Sequence, residues 1–369
     1  MFLKTKYLKK SLLSSFFCAF IFCAYGQNII WKNPLELIAL QGRSTEVKQT
    51  DAYARLPKAL ESQVRDAVWY LGQNAAGLYI EFNTPADSIF VRYKVKGALN
   101  MPHMPTTGVS GVDLYAFDGL DKSWKWAHGR YSFKDTISYN FENIGNNPNL
   151  KYRLYLPLYN SVEWMEIGVN SKYEIKFENN TAKPIIIYGT SIAQGACATR
   201  PGMGWTNMLG RNFSQPVINL AFSGNGRLEQ PILDMINKTD ASVYILDCIP
   251  NLGLTPQRSE ADLTALIENA VQFLRKDHPE VPIIMTGHSS SQTPGVLNKG
   301  TSLEYGKSTI IAEKTIKNLQ KKGIKKLYWL SSEDLNINID STVDYAHPND
   351  IGMERISNAY TKLLKKLLK

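Results

Sequence analysis

Pro184-Ile185-Ile186-Ile187-Tyr188 is a continuous apolar run without alternation, the pattern of a strand buried on both faces. A strand covered on both sides needs helices on both sides, so this one feature sets the architecture of the C-terminal half. The residues that follow supply the helices. Helical patterns over Met203–Asn212, Arg227–Asn237, Asp262–Arg275, Leu303–Lys321 and Ile351–Leu368 alternate with apolar runs at Val217–Ala221, Val243–Leu246, Ile283–Met285 and Leu327–Leu330. Five strands each followed by a helix predict an α/β fold, a three-layer doubly wound parallel sheet. A ligand of such a sheet sits beyond the C-terminal ends of its strands, so the chemistry is sought there.

The preceding residues follow another grammar. From Ile29 to about Asn180, Ile89, Val91, Tyr93 and Val95 alternate with other residues, and so do Leu154, Leu156 and Leu158. Met165, Ile167 and Val169, then Tyr173, Ile175 and Phe177, continue the period of two. Turn signals at Asn83-Thr84-Pro85, Asn146-Asn147-Pro148 and Glu178-Asn179-Asn180 separate the runs, and only Ser62–Tyr70 reads as a helix. This predicts an antiparallel β-sandwich. The expected division is a leader over residues 1–26, a β-sandwich domain over 27–181 and an α/β domain over 182–369.

The leader is expected to be a secretory signal peptide. Lys4, Lys6, Lys9 and Lys10 precede an apolar run from Leu12 to Tyr25, and cleavage is expected before Gln27. Cys18 and Cys23 are poor lipobox cysteines, because Phe17 and Phe22 stand where a small residue is needed. No later segment is long and apolar enough to span a bilayer, so the mature chain is expected to be secreted or periplasmic without stable membrane insertion. A content of 44% hydrophobic residues among 369 excludes a disordered protein. Removing the four leader lysines lowers the formal charge from +9 to +5. Lys362, Lys365, Lys366 and Lys369 carry much of the remainder on the last helix, which reads as a solvated face and not as a nucleic-acid site. Cys197 and Cys248 lack the spacing of metal ligands, and no His-x-x-x-His is present, so no metal or cofactor is expected.

The predicted strand ends carry a hydrolytic constellation. Ser191 follows the first strand in Gly189-Thr190-Ser191-Ile192, at a helix start that supplies N–H groups and a positive dipole end. Ser223-Gly224-Asn225-Gly226 follows the second strand, and the glycine lets a backbone N–H approach a ligand closely. Asp247-Cys248-Ile249-Pro250-Asn251 follows the third and offers the Asn251 amide. Asp344-Tyr345-Ala346-His347 precedes the last helix. A serine needs a base to become a nucleophile; His347 can be that base, with Asp344 holding its tautomer. The N–H groups of Ser191 and Gly224 and the Asn251 amide can hold an oxyanion. Competing readings make Ser191 a helix N-cap, His347 an ordinary loop histidine and Asn251 a turn residue. Gly287-His288-Ser289-Ser290-Ser291 partly mimics the nucleophile elbow Gly-x-Ser-x-Gly. Ser291 replaces its second glycine, and Thr293-Pro294-Gly295 leads into a loop instead of a helix.

These residues resemble the SGNH, or GDSL-type, hydrolase superfamily, whose four blocks supply Ser, Gly, Asn and His in this order. Ser191, Gly224, Asn251 and His347 match them, with Asp344 at the Asp-x-x-His spacing. The usual Gly-Asp-Ser-Leu reads Gly-Thr-Ser-Ile here, and Gly-x-Asn-Asp reads Asp-Cys-Ile-Pro-Asn. Both departures are similar to one bacterial branch whose N-terminal β domain carries Gly-x-Asp-Leu-Tyr, present as Gly111-Val112-Asp113-Leu114-Tyr115. The resemblance implies a flavodoxin-like catalytic domain behind the β-sandwich and a serine esterase acting through an acyl-enzyme. It further implies a short-chain, most simply acetyl, ester of a carbohydrate as substrate. A lipase, lysophospholipase or thioesterase of the same superfamily, and a catalytically silent glycan-binding protein, are the alternatives.

Secondary expectations concern the surroundings. Arg200 is a candidate contact for an anionic substrate group or a loop brace, and His288 a candidate residue at the mouth of the site. Cys197 and Cys248 form a disulfide or remain two buried thiols. Asp113 and Tyr115 are expected to be structural, with Leu114 facing the core. His103 can reach the cleft if the two halves pack closely.

Overall fold

The structure is a computed structural model and describes residues 28–144, 150–290 and 299–368. The expected leader, the Asn146-Asn147-Pro148 turn and the Thr293-Pro294-Gly295 run lie outside these residues.

Five parallel strands form the C-terminal sheet in the spatial order Val217–Ala221, Ile185–Gly189, Val243–Asp247, Ile283–Thr286, Leu327–Leu330. This is the flavodoxin-like order 2-1-3-4-5. The unbroken apolar runs follow from where alternate residues go. Ile186, Tyr188, Leu220 and Leu246 enter one core with Ile232, Leu263, Val271 and Ile316 of three helices. Ile185, Ile187, Val243 and Ile245 enter the core on the opposite face with Trp205, Met353 and Tyr360. There Trp205 and Tyr360 stack at 4.6 Å and join the helices Trp205–Asn212 and Asp350–Leu367. Among the described residues no helix is long and apolar enough to cross a membrane.

The N-terminal residues form two antiparallel sheets. One runs Ile29–Lys32, Val162–Asn170, Ser88–Val95, Ile137–Glu142, Arg130–Ser132. The other runs Lys176–Glu178, Tyr79–Asn83, Lys151–Tyr155, Asp113–Asp118, Ser123–Ala127, with Leu40–Gln41 beside Tyr79–Asn83. The alternating residues Ile89, Val91, Tyr93, Met165, Ile167 and Val169 meet Ile80, Phe82, Leu114 and Leu154 in one core. The helical expectation over Ser62–Tyr70 corresponds to a later helix, Asp66–Gly72. Leu158 departs from the sandwich pattern: it lies beyond the strand and packs in the α/β core.

Charged side chains join the two halves. Leu114 is fully buried in the sandwich, so its neighbours Asp113 and Tyr115 face the α/β half. Asp113 accepts hydrogen bonds from Arg200 Nη1 at 2.5 Å, Trp126 Nε1 at 2.5 Å and the Gly202 N–H at 2.9 Å. Arg200 also donates to the Tyr115 hydroxyl at 2.7 Å and lies 4.4 Å from the Trp126 ring centroid. The Gly-x-Asp-Leu-Tyr motif is therefore a clasp on the loop Arg200-Pro201-Gly202. A Cβ on Gly202 would stand 2.3 Å from the Tyr115 ring, so the loop can approach only as glycine. Arg200 is thus engaged in bracing, which corrects the expectation that it is turned toward a substrate anion. Arg55, fully buried, donates to the carbonyls of Leu71, Asn74, Asn219 and Ala221 and so ties the sandwich half to the second parallel strand.

Asp247 ends the central strand of the parallel sheet and is fully buried. Its Oδ1 accepts from Ser289 Oγ at 3.0 Å, while Oδ2 has no partner among the described residues. Burial pushes this carboxyl up to about 7, against a hydrogen bond from Ser289 that lowers it.

Two predictions follow from these buried acids. The folded protein keeps the Asp247 proton over a range where the unfolded chain has lost it, so stability should fall as pH rises from about 4 through about 7. Asp247→Asn should remove that slope and exceed the wild type by up to about 4 kcal/mol at pH 8 relative to their difference at pH 4. Denaturant unfolding at the two pH values checks it, and an unchanged difference refutes it. Asp113→Ala should cost about 3 kcal/mol in the same assay, because Arg200 and the Trp126 N–H lose their shared acceptor. A loss below about 1 kcal/mol would mean that the clasp contributes little beyond a surface ion pair.

Candidate active site

Ser191 opens a one-turn helix, Ser191–Gln194, at the end of the first parallel strand. The N-cap is Thr190, whose hydroxyl accepts the Ile192 N–H, so the capping considered for Ser191 falls to its neighbour. Gly195 ends the turn at φ 118°, a conformation suited to glycine. Ser191 is 7% exposed, and its Oγ lies 2.8 Å from His347 Nε2.

A pinched loop presents His347. Thr342 and Pro348 bridge its neck, and the Val343 N–H donates to the His347 carbonyl at 2.8 Å. Asp344 Oδ1 accepts the N–H groups of Ala346 at 3.1 Å and His347 at 2.7 Å, closing an Asx-type turn. That turn brings Asp344 Oδ2 to 2.7 Å from His347 Nδ1. Burial raises the Asp344 carboxyl. The backbone N–H and imidazole of His347, with the Ala346 N–H, outweigh it and hold the group below the usual carboxylate range. An ionised Asp344 favours the proton on Nδ1 and leaves Nε2 free to accept the Ser191 proton. Asn349 caps the helix behind, and Asp350 accepts from the Thr199 N–H and hydroxyl, fastening this loop to the chain after Ser191.

The three candidate donors follow the ends of three neighbouring parallel strands. Gly224 has φ 68°, and its N–H, like that of Ser191, has no acceptor among the described residues. Asn251 Oδ1 accepts the Gly226 N–H at 3.0 Å, which fixes the amide and leaves Nδ2 without an acceptor among the described residues. Sequence reasoning missed the part of Gly226, although Ser223-Gly224-Asn225-Gly226 shows both glycines. A Cβ on Gly226 would stand 2.2 Å from the Gly189 carbonyl oxygen, so only glycine lets the second loop lie against the first. It also missed Gln194 and Tyr159. Gln194 Oε1 accepts the Ser223 N–H at 3.0 Å, and the Tyr159 hydroxyl donates to the Ser191 carbonyl at 3.2 Å. Neither stands in a recognisable motif, and both act across long stretches of sequence.

The structure does not bring the other candidates into the site. Cys197 and Cys248 are free thiols, which corrects the disulfide expectation. Cys197 packs in the core on one face of the sheet, while Cys248 lies in the core on the other and donates to the Tyr188 carbonyl at 3.4 Å. Burial pushes the Cys197 thiol up to about 12 and Cys248 well above its ordinary value. His288 is buried, stacked on Tyr305 at 4.0 Å, with Nδ1 paired to Ser290 Oγ at 2.5 Å. Burial lowers it to about 3, so it is a neutral structural histidine and not a group at the mouth of the cleft. Ser289 is fully buried and donates to Asp247, and among the described residues no imidazole hydrogen-bonds its hydroxyl. Among the described residues no three His, Cys, Asp or Glu are grouped to hold a metal. A groove of about 830 Å³ runs past Leu40, Pro184 and Pro216, at the opposite end of the parallel strands from Ser191.

The GDSL-like lipase/acylhydrolase family matches residues 182–365, and the family GxDLY, the N-terminus of SGNH-hydrolase-type esterases, matches residues 29–175. No curated protein matches the chain. Among solved structures it is similar to a candidate GDSL-like lipase from Bacteroides ovatus ATCC 8483. The two are 31% identical over 92% of this chain and 98% of that one, with a TM-score of 0.83. It also shares its fold with the salicylyl-acyltransferase SsfX3 from a tetracycline biosynthetic pathway, at 17% identity and a TM-score of 0.70, covering 92% and 97% of the two chains. An acetyl xylan esterase, Est2A, from the rumen bacterium Butyrivibrio proteoclasticus has the fold at 12% identity and a TM-score of 0.51, covering 80% and 91%. The chain belongs to the GDSL-like lipase/acylhydrolase family, as an SGNH-type esterase with a GxDLY N-terminus.

Proposed function

We propose that this protein is a secreted or periplasmic serine esterase that removes short acyl groups, most simply acetyl, from a carbohydrate. The observation that carries this reading is the continuous chain from Ser191 Oγ to His347 Nε2 at 2.8 Å and from His347 Nδ1 to Asp344 at 2.7 Å, set beside the free donors of Ser191, Gly224 and Asn251.

His347 takes the Ser191 proton as Oγ attacks the ester carbonyl. Asp344 stabilises the imidazolium, and the carbonyl oxygen becomes an oxyanion held by the three donors. Collapse of the tetrahedral intermediate breaks the ester C–O bond, and His347 returns the proton to the departing alcohol oxygen. Water, deprotonated by the same imidazole, then releases the acid from the acyl-enzyme and regenerates Ser191.

The carbohydrate assignment rests on access and setting. His347 and Asp344 side chains are 24% and 44% exposed, so the imidazole that meets Ser191 is open to solvent, where a bulky polyhydroxylated substrate can approach it. A leader that exports the chain would bring it to extracellular or periplasmic glycans, and the acetyl xylan esterase shares the fold.

On p-nitrophenyl acetate, Ser191→Ala should lower kcat at least about 10³-fold, while Ser289→Ala should keep wild-type turnover. Equal losses in the two variants would remove Ser191 as the nucleophile. Asn251→Ala should lower kcat about 10²-fold at nearly unchanged KM, as for loss of one oxyanion donor. Acetate should be preferred to octanoate; a reversed preference in kcat/KM would point to a lipase.

A further inference from the structure

The β-sandwich half reaches the reacting groups through one turn. Met101-Pro102-His103-Met104 is closed by a bridge between Met101 and Met104, whose N–H donates to the Met101 carbonyl at 3.1 Å. His103 is exposed at the tip of this turn, and its ring centroid lies 6.0 Å from that of His347, with the planes tilted by 35°. No protein group among the described residues hydrogen-bonds either nitrogen of the His103 ring.

The turn is anchored on both sides. Met104 is buried in the core that holds Ala196 and Cys197. Thr107 Oγ1 donates to the Thr199 carbonyl at 2.7 Å, and a Cβ on Gly108 would stand 2.3 Å from the Ala198 carbonyl oxygen. Before the turn, Asn160 Oδ1 accepts the Gly97 N–H at 2.7 Å, while Nδ2 donates to the Ala98 carbonyl at 3.1 Å and to Ser110 Oγ at 2.9 Å. The contacts to Ala198 and Thr199 tie the turn to the chain that follows Ser191. His103 is therefore held beside His347 by buried packing and hydrogen bonds, while its own polar atoms stay unused.

Position decides what those atoms can meet. In the proposed esterase reaction His347 returns its proton to the departing alcohol oxygen, so the alcohol part of the substrate passes along the His347 ring. An imidazole beside that ring is placed to meet the alcohol part of the substrate. Neutral imidazole offers one N–H donor and one nitrogen acceptor, a match for a hydroxyl next to the esterified oxygen, as in a sugar. We infer that His103 is a specificity-determining residue that hydrogen-bonds a hydroxyl flanking the ester, so that esters of sugars are favoured over esters of simple alcohols. This inference rests on the esterase reading.

The test compares wild type, His103→Ala and His103→Gln on two acetyl esters, a monoacetylated methyl xyloside with free neighbouring hydroxyls and p-nitrophenyl acetate with none. The expected result is that His103→Ala lowers the ratio of the two kcat/KM values, xyloside over aryl ester, about tenfold, chiefly through KM on the xyloside. His103→Gln, which keeps a donor and an acceptor, should recover part of the ratio. An unchanged ratio in His103→Ala, whether both rates fall together or neither changes, overturns the inference and leaves His103 as a buttress of His347 or a bystander. A wild type active on the aryl ester but not on the xyloside overturns it while the esterase reading stands. A wild type inactive on both overturns the esterase reading and His103 with it.

Discussion

The close contact of the first two strand-end loops governs the rest of the site. Gly226 lies against the Gly189 carbonyl with no room for a Cβ, and the same carbonyl accepts the Phe222 N–H at 3.0 Å. This contact lets the Gly226 N–H reach Asn251 Oδ1, which turns the Asn251 amide so that its N–H₂ end is left over. Backbone donors in a protein interior almost always find acceptors. A set of donors can stay free only at a rim where the sheet stops pairing and the loops are too short to fold back on them. The end of a strand buried on both faces is such a rim. There Ser191, the candidate nucleophile, stands at the end of a buried strand while the neighbouring N–H groups keep no acceptor among the described residues.

The interface between the two halves extends this arrangement. Apolar residues of the N-terminal half, among them Leu56, Val68, Met104 and Leu158, pack into the two α/β cores, and guanidinium groups with directional partners stand among them. Asp113 and Tyr115 hold Arg200. Arg153 pairs with Glu81 at 2.7 Å and donates to the Gly210 carbonyl at 2.8 Å, and Arg55 donates to four carbonyls. Each such group is costly to bury and stable in few geometries. An apolar patch tolerates sliding, whereas a guanidinium whose acceptors lie on two different segments does not. The reward is orientation: the turn carrying His103 keeps a fixed relation to His347, which a flexibly tethered sandwich would not provide.

The parts of this arrangement that rest on local periodicity were legible in the sequence. The apolar run at Ile185–Tyr188 implied the two-faced sheet, and alternation at Ile89, Val91 and Tyr93 implied the sandwich core. The Asp344-to-His347 spacing was legible for a similar reason, since an Asx turn closes over three residues. What stayed hidden depends on contacts between distant residues. Gln194 holding the Ser223 N–H, Tyr159 on the Ser191 carbonyl and Arg200 on Asp113 have no signature, because each partner is common in loops and the pairing exists only in three dimensions. The cysteines show the converse. Neighbouring strands suggested that Cys197 and Cys248 could meet, but proximity in the sheet order does not say which face a side chain takes, and they lie on opposite faces.

Ser191 and Ser289 make the same point about function. Both follow a parallel strand, both stand in a Gly-x-Ser segment, and both are buried by their residue surface. Their chemistry differs through one partner each. Ser191 meets an imidazole whose far nitrogen is held by a carboxylate kept ionised by two backbone N–H groups. Ser289 meets the Asp247 carboxyl, which burial pushes up to about 7, so that a proton stays bound through most of the acidic range. A carboxylic acid that retains its own proton is a poor acceptor for a serine's, and a fully buried hydroxyl has no path to a substrate carbonyl. The same side chain at the same kind of strand end is thus a candidate nucleophile in one place and a hydrogen-bond donor to a structural acid in the other. The difference lies in the solvation of the group beside it, a property of the assembled fold and not of the Gly-x-Ser pattern.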